Sequence, residues 1–176
     1  VLYEYQGRWT VKEAAVEREF LGLRRDVERL ALACYFAEMA EVLSVEGMPS
    51  PGLLSLTLNS LHALECLDRP PEQIKAVFEL KAMCLAGYEP LIEGCALCGE
   101  EDPEQGWFHL QEGVLCCAAC RESGAGWVPL TPGLLAALRP VVYGDDKRLF
   151  SFRLGGEDLK ALSRLPADYV PTQLER

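Results

Sequence analysis

Cys95-Ala-Leu-Cys98-Gly99 and, with 18 residues between Cys98 and Cys117, Cys117-Ala-Ala-Cys120 decide how this chain is read. A Cys-x-x-Cys turn presents two thiolates from one tight bend, and two such turns close a tetrahedral shell around a metal ion. Gly99 lets the backbone wrap the sulfurs without a Cβ in the way. Between the turns, Trp107-Phe108-His109-Leu110 and Gly113-Val114-Leu115 are short apolar runs suited to two ribbon strands. The expectation is a zinc ribbon holding one Zn²⁺ through Cys95, Cys98, Cys117 and Cys120. Four thiolates leave no position for a reacting water, so the metal is expected to be structural. Cys116-x₃-Cys120 stays open as the second pair, and His109 as a ligand from within the loop. The competing reading is two redox-active or simply buried cysteine pairs.

Upstream of the ribbon the pattern is helical. Val1, Tyr3 and Tyr5 alternate ahead of Gly7, which predicts one edge strand and a turn. Thr10-Val-Lys-Glu13 has capping-box spacing and predicts a helix start, with Gly22 as an interruption. Arg24 to Glu46 is the longest helical candidate. It is apolar almost all round, which predicts a central place in a bundle, and Gly47 is its expected stop. Ser50-Pro51 opens a second helix with Leu54, Leu58 and Leu61 as its stripe. Pro70-Pro71 opens a third, with Ile74, Val77, Phe78 and Leu85 on one face and an end near Gly87. Cys34, Cys66 and Cys84 fall within these helices and are expected to act as small apolar core residues.

Downstream, Thr131-Pro132 caps a helix over Leu134 to Val142, and Gly144-Asp145-Asp146 is a turn. Leu149 to Phe152 reads as a short strand or extended link. Glu157 to Leu165 is a short helix stopped by Pro166, followed by a polar tail to Arg176. The fold class is therefore mainly α, a helical bundle with an inserted small four-cysteine zinc ribbon of short β-strands. Its expected parts are a strand at 1–9, the bundle at 10–90, the ribbon at 91–126 and C-terminal helices packing back at 127–176.

Composition narrows the chemistry. The net charge of −10, from 17 basic and 27 acidic residues, excludes a surface that grips phosphates everywhere. No run approaches the ~20 apolar residues of a membrane span. Eight cysteines, half of them in the two pairs, suit a reducing cytosol better than a disulfide scaffold. There is no phosphate-cradling glycine loop and no Gly-x-Ser-x-Gly elbow. His62 and His109 lack a nearby nucleophile pattern, so no enzyme is expected. Arg25 and Arg29 lie four apart, with Arg24 beside them. They read either as an ordinary solvated face or as a patch for an acidic partner.

Phe78-Glu-Leu-Lys-Ala-Met-Cys-Leu-Ala-Gly87-Tyr88-Glu-Pro90-Leu91, running into Cys95-x-x-Cys98-Gly99, resembles the RecO family of bacterial recombination mediators. Leu30-Ala-Leu-Ala-Cys-Tyr35-Phe-Ala-Glu38 is similar to the family's first bundle helix. The resemblance implies an N-terminal OB-fold barrel, of which residues 1–9 would be the last strand. The pair after Glu112-Gly113-Val114-Leu115 carries one extra residue relative to the family, which keeps Cys116 as an alternative to Cys117. It further implies a cytoplasmic, nucleoid-associated, non-catalytic mediator of the RecFOR pathway. Such a mediator binds single- and double-stranded DNA and anneals strands. It engages the C-terminal tail of single-strand-binding protein (SSB), joins RecR and promotes RecA loading. Arg24, Arg25 and Arg29 are the expected rim for the SSB tail.

Overall fold

The helix Pro71–Leu85 (α3) is the one around which the others pack, and its sequence explains why. Ten of its 15 residues are buried, including Ile74, Val77, Phe78, Leu80 and Met83. Pro71 supplies a fixed φ at the first turn, where no amide donor is missed. Its end is a Schellman motif: Tyr88 N–H donates to Met83 O (2.9 Å) and Gly87 N–H to Cys84 O (3.1 Å). Gly87 has φ +92, a conformation that costs other residues dearly. The computed structural model describes residues 1–174; the last two positions of the expected polar tail, Glu175 and Arg176, lie outside them.

Four further helices, Val27–Leu43 (α1), Pro51–Cys66 (α2), Pro132–Tyr143 (α4) and Gly156–Leu174 (α5), all touch α3. The later helices thus pack back on the earlier ones, as expected. Phe36 of α1 and Phe78 of α3 are fully buried, with ring centroids 4.2 Å apart. The two ends of the core are tied by cations that meet helix C-terminal carbonyls. Arg29 donates to Leu64 O of α2 (2.7 Å), and Lys81 to Val142 O of α4 (3.3 Å). These carbonyls have no intrahelical partner, and the positive charge also opposes the helix dipole there.

Several expectations are corrected. The N-terminal segment is a hairpin, Leu2–Tyr5 (β1) with Arg8–Val11 (β2), so the strand finds its partner within the chain. Thr10 sits in β2 opposite Tyr3 and caps no helix, because the pleated register takes its backbone groups. The long helix starts at Val27: Asp26 is its N-cap, accepting from Glu28 and Arg29 amides, and Leu21–Arg25 forms a 3₁₀ turn before it. It ends at Leu43, ahead of Gly47. It lies at the flank, burying only Phe36 and Met39, while α3 takes the centre.

In α2 the buried residues are Leu53, Leu56, Ser60, Ala63 and Leu64. Leu54, 62% exposed, and Leu58 lie on the outside, so the expected stripe is not the face that packs. Leu85, expected on the apolar face of α3, is also exposed. Cys34 and Cys66 are exposed too, whereas Cys84 is half-buried and its thiol is pushed up to about 12, chiefly by burial. Leu149 to Phe152 forms no strand; Leu149 is buried and the Phe152 carbonyl is held by Arg69 and Gln73. Pro166 does not stop α5, which continues to Leu174. Leu162, Leu165, Tyr169 and Gln173 bury one stripe of it, and that burial offsets the roughly 3 kcal/mol of an interior proline.

The ribbon has three antiparallel strands rather than two. Gly106–His109 (β3) lies between Val114–Cys117 (β4) and Trp127–Leu130 (β5). The third strand ends at Leu130, next to Thr131, whose hydroxyl accepts from Leu134 N–H and caps α4. Helix α5 docks on the ribbon: Tyr169 meets Phe108 edge-on at 5.4 Å, and Gln173 Nε2 donates to the carbonyls of Leu110 and Gln111.

Candidate metal centre

The chain leaves α3 through Gly87 and runs alongside β4. Leu91 N–H donates to Gly113 O (2.7 Å), and Leu115 N–H donates back to Leu91 O (3.0 Å). This short parallel bridge delivers Cys95 to the sheet edge. The first turn then closes on itself: Gly99 N–H reaches Cys95 O and Cys95 N–H reaches Glu100 O, both at 2.8 Å. Gly99 holds φ +77, in keeping with its expected place in the wrap. Ala96 N–H donates to Leu115 O (2.8 Å), which pins the turn to β4. The second turn begins at the last residue of β4. Cys120 and Arg121 amides both converge on Cys117 O, at 3.2 and 3.0 Å.

These turns bring Cys95, Cys98, Cys117 and Cys120 together, all four sulfurs within 4.8 Å of one another, an arrangement that can hold a metal ion. Cys98 Sγ and Cys117 Sγ are 3.8 Å apart. A tetrahedron with metal–sulfur arms of about 2.3 Å has edges of about 3.8 Å, so the Cys98–Cys117 separation matches one edge of a four-thiolate shell. Cys95 and Cys117 are buried, Cys120 is half-buried and Cys98 is exposed. Burial alone pushes the Cys95 thiol up. Backbone amides of Cys117, Cys98 and Leu97 outweigh it and bring the group down to about 6. Cys120 shifts the other way, raised to about 12 chiefly by its hydrogen bonds with Cys117 and Cys98, as expected where several thiols crowd one site.

Cys116 lies outside the four. It faces Trp107 in the ladder while Cys117 faces Gly106, and successive strand residues point to opposite sides. His109 lies outside as well. Its Nδ1 accepts from Glu112 N–H (3.2 Å), and its ring meets Trp127 edge-on at 4.7 Å.

Two residues of α4 that no local motif singles out grip the loop before and around the first turn. Arg139 and Tyr143 are one helical turn apart and share a face. Arg139 donates to the carbonyls of Ile92 (3.0 Å), Glu93 (2.8 Å) and Glu101, and pairs with Asp102 at 2.6 Å. Tyr143 donates to Pro90 O (2.8 Å) and accepts from Ile92 N–H (2.9 Å). The only sequence signal is an arginine and a tyrosine spaced i, i+4 on an otherwise apolar helix.

The three arginines of the expected rim do not lie on one helix face. Arg24 and Arg25 end the 3₁₀ turn, and Arg29 lies beyond the Asp26 cap, so they do not share one helix. The Arg29 guanidinium is engaged by Leu64 O and by Asp26 at 3.7 Å. Arg24 and Arg25 are exposed and in no ion pair among the described residues.

The sequence matches the family model "Recombination protein O C terminal" over residues 24–176, which includes both cysteine turns and all five helices of the described residues. The chain belongs to the RecO family. It is similar to the DNA repair protein RecO of Acetivibrio thermocellus, 31% identical over 176 residues, covering 100% of this chain and 70% of that one. Against the DNA repair protein RecO of Symbiobacterium thermophilum it is 31% identical over 170 residues, covering 95% and 67%. Against that of Pelobacter propionicus it is 32% identical over 135 residues, covering 76% and 54%. The chain thus spans between about half and seven-tenths of the length of these RecO relatives. Among the described residues no helix is long and apolar enough to cross a membrane.

Proposed function

We propose that this chain is the helical and zinc-ribbon part of a DNA repair and recombination mediator that works without catalysis. The observation that carries the reading is the RecO family match across 24–176, which spans the four-cysteine cluster. Zn²⁺ is the metal of choice for four thiolates at tetrahedral spacing, and with the shell filled its role is to fix the ribbon. The mediator binds single- and double-stranded DNA, anneals strands, engages the SSB tail, joins RecR and promotes RecA loading in the bacterial cytoplasm. The chain's acidity argues that much of the DNA affinity lies in an N-terminal OB-fold, whose basic groove and stacking aromatics suit single strands.

Arg24 and Arg25, exposed and in no ion pair among the described residues, are the charged part of the rim proposed for the acidic SSB tail, while Arg29, the third residue of that rim, is held by Leu64 O and Asp26. The test is anisotropy of a labelled SSB-tail peptide against the chain and its Arg24→Glu/Arg25→Glu variant. A clear loss at low salt that narrows as salt rises supports this surface. Equal affinity for both proteins rejects it. A thioredoxin-like oxidoreductase is disfavoured, because the cysteine turns flank an antiparallel sheet and no βαβ unit exists among the described residues.

A further inference from the structure

The ribbon has an outer face that carries a groove beside the four-cysteine cluster, with Cys120 and Cys116 in its lining. Side chains alternate along β3: Phe108 turns toward Tyr169 of α5, so Trp107 and His109 turn away from the helices. In the neighbouring strand Trp127 stands opposite His109. His109 and Trp127, together with Val114 and Leu97, line a groove of about 360 Å³, walled on one side by the loop 122–125. Leu97 at the edge is 67% exposed. Glu112 and Glu122 also line the groove, and neither is in an ion pair among the described residues.

The surrounding charge is one-sided. Between positions 91 and 126 there are seven acidic residues and one basic residue, Arg121. That arginine is already stacked over Trp107, its guanidinium carbon 3.8 Å from the ring centroid. The ribbon therefore holds one guanidinium on an indole outside the groove, and inside the groove offers a second indole with two carboxylates and no cation.

We infer that this groove docks a basic segment of a partner protein, taking an arginine or lysine side chain. Its methylenes would lie along Leu97 and Val114. Its charge would sit against the Trp127 ring, where the π face attracts cations, and between Glu112 and Glu122. An acidic peptide meets the wrong sign here. So does a nucleic-acid backbone, since every phosphate needs a base to neutralise it.

The test is fluorescence anisotropy of a labelled synthetic peptide of alternating arginine and leucine, against one with glutamate in place of arginine. Glu112→Gln/Glu122→Gln should weaken the arginine peptide about tenfold, as loss of complementary charge at a docking site does. Leu97→Arg should weaken it as well. Glu38→Gln/Glu41→Gln on α1 makes the same change in net charge elsewhere and should leave affinity within about twofold. Zinc content and thermal midpoint of each variant separate a collapsed ribbon from a groove that has lost its partner. Equal weakening by both glutamate pairs would reduce the effect to the overall acidity and overturn the inference. Indifference to both Leu97→Arg and the groove pair would do the same. A labelled oligothymidylate bound more tightly than the arginine peptide, and displaced by Leu97 or groove changes, would assign the groove to nucleic acid instead.

Discussion

Arg29 illustrates how far a residue type can mislead when its neighbours are not in view. By spacing it belongs with Arg25 on a surface, yet its guanidinium closes the C-terminal end of α2 at Leu64 O. Arg29→Ala leaves that buried carbonyl without its donor and should cost about 1–3 kcal/mol in urea unfolding. Arg24→Ala and Arg25→Ala, with no such contact, should stay within about 0.5 kcal/mol, and equal losses at all three would contradict the assignment. Tyr35 is a second such residue. Its hydroxyl donates to Glu79 Oε1 at 2.5 Å, and Lys75 Nζ reaches the same oxygen at 2.6 Å. Burial, and then the Glu79 carboxylate, raise the Tyr35 phenol well above its ordinary value of 10.0. A raised acid contributes stability that is fully present below the unfolded value and is lost as pH rises from there toward the folded one. The unfolding midpoint should therefore fall as pH rises above about 10, and fall less in Tyr35→Phe. Parallel falls in the two proteins would remove Tyr35 from the account.

At the level of elements, the site is held by the helices as much as by its own turns. Arg139 and Tyr143 reach from α4 to the carbonyls and amide of Pro90, Ile92, Glu93 and Glu101. Arg139→Ala should leave helical circular dichroism nearly intact while metal is lost to a chelator roughly 10-fold faster, the scale seen when an outer-shell support is removed. Unchanged release kinetics would mean that the ribbon stands alone. The cysteine turns, the strand pair β3–β4 and helices α2, α3 and α4 were legible in the sequence because each carries its own local punctuation. Ser50-Pro51, Pro70-Pro71, Thr131-Pro132 and the two Cys-x-x-Cys turns act within a few residues. What failed was set by distant partners. The strand β5 exists because β3 has a free edge, and α5 runs through Pro166 because Tyr169 and Gln173 meet the ribbon. Leu54 and Leu58 are periodic but face outward, since α3 packs on the Leu53, Leu56 and Leu64 side. The latch from α4 and the groove by Trp127 were illegible for the same reason, as each joins residues far apart in the chain.

On the scale of the whole molecule, a single bundle centred on α3 carries a small sheet whose inner face rests on α5 and whose edge presents four converging sulfurs. The chain belongs to the RecO family, and its four-cysteine cluster could hold a metal ion that would brace the sheet against the helices. On the proposed reading a bound metal is that brace; a structural site adds roughly 10–16 kcal/mol apparent in isolated zinc fingers. The ligand assignment turns on Cys117 against Cys116: Cys117 is one of the four converging sulfurs, while Cys116 is buried beside Cys95 without being among them. The decisive measurement is therefore metal content by mass spectrometry on the purified chain and on its Cys98→Ser, Cys116→Ser and Cys117→Ser variants. The expected result is one zinc per chain, kept in Cys116→Ser and lost in Cys98→Ser and Cys117→Ser. A folded wild-type chain free of metal, or zinc kept in Cys117→Ser and lost in Cys116→Ser, would contradict the account.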